Sequence, residues 1–523
     1  MKIAILSTDG GGGGAPRAMR RLASGLIARG HDIDIIQLTA EHASPNAIIV
    51  EPEGTAPDGI DCAKFIDCDY LNARRTKASN TFFSLQPTGF DFSSLIADGD
   101  YDAVNIHWTN FLLNPETAAP VIALGKPVVF TLHDMGHFTG GCHYSAGCEG
   151  YESTCSPCPQ LADDSLGMTS SLIAAKRASY RKANVAAVAP SHWLAARAQR
   201  SGVFEETSVH RISNSVEVDL FCPADKAEAR RRLGLEPTGR YILFGAHHAD
   251  ERRKGLDLLI EAIRRLKSEA EWAHLDSEPG LGLLVFGQAT GEVLALGIPV
   301  RSFGFVSDDH LLATIYNAAD LVVLPSLEDN QPNIMMEAMA VGVPVVSFAV
   351  GGMNDVILDG RNGRLVDPYD IGALARAILD LIVAPATASE LGRAARQDML
   401  DQAKPDHQAS RYEALFDSLR GSGPGEAARS GARSASQSTR STEAPGRLIR
   451  LPERVAGRVA TAEVQTELRR FEAARALEAA LLVENAEKEV RDREAAEAAA
   501  RPGRLKRLAR ALKRASRTLR GKG

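Results

Sequence analysis

The sequence predicts an α/β protein with two domains, each a parallel sheet covered by helices, facing each other across a cleft. Three observations carry that reading. The first 400 residues alternate short apolar, β-branched runs with amphipathic helical stretches, the unit from which parallel sheets are built. The pattern begins afresh after residue 220. A chain of 523 residues that is 44% hydrophobic can fill more than one core.

Taken in order, Lys2–Ser7 (KIAILS) reads as the first strand and Gly10–Gly14 as a tight loop. A helix follows, with Pro16 in its first turn and Gly30 beyond its end. Its apolar residues Met19, Leu22, Ala23, Leu26 and Ile27 fall on one face at helical spacing. Ile33–Leu38, Ala103–His107 and Val128–His133 are further strands. In the second half, Tyr241–Gly245 is a strand, followed by a charged loop and a helix from Gly255 to about Lys267. Gly282–Gly287, Leu321–Pro325 and Val343–Phe348 are apolar runs bounded by Gly or Pro. Ligands of open parallel sheets sit beyond the carboxyl ends of the strands, so function is expected in those loops, between the domains.

The domains are expected at 1–213 and 214–404, with a helix at 405–420 that crosses back to the first. Residues 421–446 hold no Val, Ile, Leu or aromatic side chain, so 421–447 reads as a flexible linker. Residues 448–500, rich in Ala, Glu and Arg, read as one long charged helix able to self-associate. Residues 501–523 carry ten Lys or Arg and no acid, leaving −16 on the rest of a chain whose net charge is −6. Leu505, Leu508, Leu512 and Leu519 share a face of this tail, the pattern of a helix lying on an anionic membrane. It has no aromatic residue to stack on bases, and nucleic acid is not expected as a partner. No apolar run approaches the roughly 18 residues of a spanning helix. The apolar start Ile3–Leu6 is too short for a secretory leader. A cytoplasmic protein is expected, peripheral to the inner face of the plasma membrane through its tail.

The strongest chemical signal is Leu321–Val343, LVVLPSLEDNQPNIMMEAMAVGV. A strand ends at Pro325, a loop carries Glu328 and Asp329, and Pro332 opens a helix closed by Gly342. Every side chain from Ile334 to Val341 is apolar except Glu337. A lone carboxylate there is costly to bury without a partner, and the hydroxyls of a sugar or ribose would serve. The helix start suits a phosphate. This reading requires Glu337 to face the gap between the domains without being tied up by an arginine. The structural alternative is a capped helix with Glu337 at a domain seam. A second cluster, Cys142, Cys148, Cys155 and Cys158, ends in C-x-x-C with His137 and His143 nearby. Structural zinc, disulfide or redox pairing, and free thiols all stay open for it. His133 and His107 each end an apolar strand, where structural and functional roles are both open. Gly10–Gly14 lacks the G-x-G-x-x-G order and a P-loop Lys.

PSLEDNQPNIMMEAMAVGVPVVSFAVGGMNDVI, together with Thr131–Asp134 (TLHD), Asn214–Phe221 and Gly351–Gly352 before Asp355, resembles the donor-binding core of retaining glycosyltransferase family 4. The resemblance runs along roughly residues 1–420 and implies the GT-B fold of two Rossmann-like domains. It implies transfer of a sugar from a UDP- or GDP-sugar to the hydroxyl of a glycan or lipid-linked acceptor, with retention, in cell-surface polysaccharide synthesis and with no cofactor required. On this resemblance His133, Asp329, Glu337 and Lys254 carry catalysis. Gly12, Gly13, Arg253, Glu328, Pro332, Asn333 and Ile334 join Lys254, Asp329 and Glu337 in holding the donor. Two positions depart from the family pattern. Its first Glu is Asp329 here, with Glu328 the nearest alternative, and its Arg falls on Ala249, leaving Arg252 or Arg253 as substitutes. A nucleotide-sugar epimerase and a degenerate scaffold acting through its C-terminus are the rival readings.

Overall fold

The computed structural model describes residues 1–10, 13–39, 46–53, 65–79, 81–246, 251–267, 269, 280–287, 291–421, 447–458, 461–470, 473, 510 and 513. The expectations for Gly12, Ala249, the linker at 422–446 and nearly all of 471–523 lie outside these residues.

The first lobe contains β1 (Lys2–Leu6), β2 (Asp32–Gln37), β3 (Ala47–Pro52), β4 (Thr88–Phe90), β5 (Ala103–Ile106), β6 (Val128–Thr131), β7 (Val185–Ala189) and β8 (Ser208–Arg211). All but β4 join one parallel sheet in the order β3-β2-β1-β5-β6-β7-β8. The second lobe contains β9 (Arg240–Gly245), β10 (Leu281–Phe286), β11 (Val300–Ser302), β12 (Leu321–Leu324), β13 (Val345–Phe348) and β14 (Gly363–Val366). They run parallel in the order β11-β10-β9-β12-β13-β14. Helices cover both faces of such sheets, which explains why VVFT and LVVL are apolar and buried at every position. In both sheets the strand order reverses beside the first strand, at β1 and at β9. The loops after β1, β5, β9 and β12 therefore border the crevice.

The first helix, Gly14–Ala28, packs Met19, Leu22, Ala23 and Leu26 on Ile3 and Ile5. Ile27 departs from the expected face and is exposed. Ala409, Tyr412, Leu415 and Phe416 of the helix Pro405–Gly421 complete the same core, so this late helix belongs to the first lobe's packing. The two helices touch at Gly25, where a Cβ would lie 2.8 Å from the Pro405 carbonyl oxygen. Arg29 pairs with Asp406 and Glu413 across the same contact.

The expected helix from residue 448 is corrected at its start. Arg447–Leu451 is a strand, β15, parallel to β3, and Glu453–Val455 is β16, antiparallel to β4. Ile449 and Leu451 turn inward while Leu448 and Arg450 turn out, a period of two. The open edge of β3 offers unpaired N–H and C=O groups, and Pro452 separates the two short strands. Composition over the whole stretch hid this alternation. Residues 462–470 are helical. Among the described residues no single helix is long and apolar enough to cross a membrane.

Just after β16, Arg458 donates to Glu116 at 2.7 and 2.8 Å and to the carbonyls of Leu85 and Gln86 at 2.7 and 2.6 Å. Replacing Arg458 with Ala should lower unfolding free energy by about 2 kcal/mol, the scale for a buried charged donor whose partners are left unmet. Lys, which cannot fork between a carboxylate and two carbonyls, should not restore it. Chemical denaturation of the three proteins measures this, and an Ala variant as stable as wild type would contradict it.

Candidate active site

The loop after β12 and the helix Asn333–Ala340 form one wall of a cavity of about 420 Å³ between the lobes. Pro332, Asn333 and Ile334 line it, so the positive end of that helix opens onto it. Gly13 and Gly14 line the opposite wall, and Asn333 donates from its side chain to the Gly14 carbonyl at 2.8 Å. Asn330 reaches across as well, to the His133 carbonyl at 3.0 Å and to Ser191 at 2.6 Å. Gln331 accepts from the Asn214 N–H at 2.7 Å, fixing the connector between lobes. Gly351 and Gly352 make this loop possible: a Cβ on either would fall 1.8 Å from the carbonyl oxygen of Asp329 or Asn330.

Asp329 is buried and paired with Lys254 at 2.7 Å and Arg253 at 3.2 Å. Burial alone would raise its pKa, but Lys254 and then Arg253 hold it well below the usual carboxylate range. Arg253 also donates to the Glu328 carbonyl at 2.7 Å and lies 4.0 Å above the Tyr144 ring. Arg252, the other substitute cation, is exposed and does not line the cavity. Glu328 is corrected too. Its carboxylate turns away from the cavity and accepts from the Ala146 N–H at 3.0 Å, anchoring a first-lobe loop.

Glu337 lines the cavity, yet the expectation that it has no arginine partner is overturned. Its Oε1 accepts from Arg21 at 2.7 Å and Arg17 at 3.3 Å, and its Oε2 from the Tyr316 hydroxyl at 2.8 Å. Burial opposes its charge, while Arg21 and Arg17 bring its pKa below the ordinary value. Ligand hydroxyls are therefore not needed to explain why this carboxylate is buried. Arg17 and Arg21 come from the first helix, and they also hold Asp309 and Glu217, so the network stitches the lobes together.

On the first-lobe side, His133 and Asp134 follow β6 and line the cavity with His143 and Trp108. Asp134 accepts from His143 at 2.7 Å and from the Gly136 N–H at 2.8 Å. Against burial, His143 brings the Asp134 pKa to about 2. His133 lies 2.9 Å from His107, and burial lowers its pKa to about 4, so it is neutral at pH 7.

Residues 12–220 match the sequence family described as Glycosyltransferase Family 4, and residues 239–383 match Glycosyl transferases group 1. A D-inositol 3-phosphate glycosyltransferase of Catenulispora acidiphila is 30% identical over 321 residues, 59% of this chain and 70% of that protein. The chain belongs to glycosyltransferase family 4. The glycosyltransferase of the same description from Segniliparus rotundus is 33% identical over 194 residues, 35% of this chain and 41% of that relative. Among solved structures, a sucrose-phosphate synthase from Thermosynechococcus elongatus superposes with a TM-score of 0.58 at 21% identity, covering 80% of this chain and 99% of its own. Anabaena Alr3699/HepE in complex with UDP-glucose gives 0.55 at 17% identity, covering 80% of this chain and 100% of its own. The fold is thus GT-B, and the protein is a glycosyltransferase.

In this family 4 glycosyltransferase the zinc reading of the cysteine cluster gains no support. Cys142, Cys148, Cys155 and Cys158 are free thiols, and among the described residues no three His, Cys, Asp or Glu side chains converge as metal ligands. The Cys155 and Cys148 sulfurs accept from the Gly140 and Gly150 N–H groups, at 3.1 and 3.2 Å. Burial pushes the Cys155 thiol up to about 11. His143 is committed to Asp134, and His137 to the His107 carbonyl.

Sequence reasoning missed Arg17, Arg21, Tyr316, Tyr144 and Asn330. The one available signal was the spacing of Arg17 and Arg21, four apart on the helix after the glycine loop, where both share a face. It also missed Lys176, fully buried, which donates to the carbonyls of Gly136 and Thr139 at 2.6 and 2.9 Å and so holds the loop beyond Asp134. Burial, with the Arg458 charge adding to it, lowers the Lys176 pKa to about 7. The unfolded chain keeps that lysine protonated to about pH 10. Above pH 7 the folded state therefore binds fewer protons than the unfolded one, and stability rises with pH. From pH 7.0 to 8.5 wild type should gain up to ~1.4 kcal/mol per pH unit relative to Lys176→Met. Urea unfolding of both proteins across that range checks it, and equal slopes would refute it.

Proposed function

We propose that this glycosyltransferase moves a hexose from a UDP- or GDP-sugar to the hydroxyl of a glycan acceptor, with retention of anomeric configuration. The observation that carries the reading is the meeting of the positive start of the helix Asn333–Ala340 with Lys254 on one cavity wall, beside Asp329 and Glu337. A diphosphate fits that end, because backbone N–H groups, the helix dipole and a cation converge there. Lys254 has three donors and spends one on Asp329, so it can serve the diphosphate as well. Glu337 keeps acceptor capacity on Oε2, where one hydrogen bond is made, and a ribose hydroxyl can use it. The complex of Alr3699/HepE with UDP-glucose supports a uracil nucleotide as the first candidate.

Chemically, the bond from the anomeric carbon to the leaving phosphate oxygen breaks, and the acceptor oxygen bonds to that carbon on the same face. The acceptor proton passes to the leaving phosphate. Lys254, Arg253 and the helix start stabilise the negative charge that develops on the diphosphate. The acceptor enters from the first-lobe side, past Trp108 and the Asp134–His143 pair.

A screen of UDP-, GDP- and ADP-sugars by thermal stabilisation should pick out one nucleotide. Lys254→Ala should then cut turnover with that donor about 10²-fold or more, the scale for losing one preorganised charge-stabilising group. No stabilisation by any sugar nucleotide, or full turnover by the variant, would overturn the reading.

A further inference from the structure

His133 faces the cavity at the end of a hydrogen-bond chain whose direction is set by a backbone carbonyl. The Val129 carbonyl can only accept, so the Asn105 side chain must turn its NH2 toward it, at 2.9 Å. The same NH2 lies 2.9 Å from the Thr131 hydroxyl, which in turn meets the Tyr412 hydroxyl at 2.9 Å. The Asn105 oxygen is thereby aimed at His107 Nε2, 2.8 Å away, and that nitrogen must carry a hydrogen. Burial, reinforced by His133 and His137, keeps His107 neutral. A neutral imidazole with its hydrogen on Nε2 has a bare Nδ1. That Nδ1 is 2.9 Å from His133 Nε2, so His133 must donate there. His133 is itself neutral, and its hydrogen is spent on His107. Its Nδ1 is left bare, makes no hydrogen bond to any described residue, and belongs to a side chain that lines the cavity.

We propose that Asn105 and His107 are positioning residues that lock His133 in its Nε2–H tautomer, so that His133 Nδ1 accepts a hydrogen bond from a hydroxyl of the donor sugar. The proposal rests on the reading of the cavity as a sugar-nucleotide site. With both imidazoles neutral, the order follows from the geometry: once Asn105 is fixed, the single hydrogen between the facing nitrogens can only come from His133. It gives the cavity a preference for a hydroxyl over a carboxylate at this point, because a carboxylate would meet a lone pair.

The tautomer is read directly by long-range proton–nitrogen correlation spectra of the full chain labelled with ¹⁵N-histidine, at pH 7. His133 should show a protonated Nε2 and an unprotonated Nδ1, and a hydrogen on Nδ1 overturns the lock. His107→Phe removes the acceptor for His133 Nε2. The His133 signals should then report a mixture of tautomers. The KM for the sugar nucleotide chosen by the donor screen should rise about tenfold, the weight of one neutral hydrogen bond. Binding of the bare nucleoside diphosphate should not change. His107→Gln should restore wild-type behaviour, because its oxygen can accept from His133 while its NH2 donates to Asn105. A His107→Phe protein with unchanged His133 spectrum and KM, or a Gln variant that rescues neither, overturns the assignment. If no sugar nucleotide binds wild type, the donor reading fails, while the spectrum still decides the tautomer.

Discussion

The cost of burying two carboxylates governs the architecture of this cleft. Asp329 and Glu337 are at most one-twentieth exposed, and an unpaired charge in such surroundings costs several kcal/mol. Asp329 is compensated within its own lobe, by Arg253 and Lys254. Glu337 is compensated from the other lobe, by Arg17 and Arg21. The first arrangement gathers cations at the start of the helix Asn333–Ala340. The second ties that helix to the first helix of the chain. A cluster of cations at a helix start and an interlobe clamp thus arise from the same need.

The first lobe adds a neutral histidine to the charged groups it brings to the cleft. On its cavity wall His133 is kept uncharged by burial and is oriented through His107. Asn105 stands behind His107 and His133, and Asp134 behind His143. Arg458, just after β16, grips the carbonyls of Leu85 and Gln86, three and four residues beyond Phe82, a cavity residue.

Much of this was legible in the sequence because both sheets are buried on both faces, which leaves unbroken apolar runs such as LVVL and VVFT between glycine and proline stops. The loop–helix motif from Asp329 to Glu337 was legible because one acid among methionines and alanines must find a partner when buried. Its partners were not. Arg17 and Arg21 look like the solvated face of an amphipathic helix, and only the approach of the second lobe makes them internal. Glu328 and Asp329 are neighbours in sequence, and nothing local reveals that one turns to the cavity and the other to Ala146. The strand β15 was hidden because its five residues precede a long Ala- and Glu-rich stretch, and its partner edge on β3 lies some 400 residues away.

The central claim is that this carboxylate-bearing helix receives the activated donor at its start. A crystal structure of the chain with its sugar nucleotide tests it most directly. The account predicts the diphosphate against the backbone of Pro332–Ile334 within reach of Lys254, and a ribose hydroxyl on Glu337 Oε2. A nucleotide bound elsewhere, or one that leaves Glu337 touched only by Arg17, Arg21 and Tyr316, would contradict it.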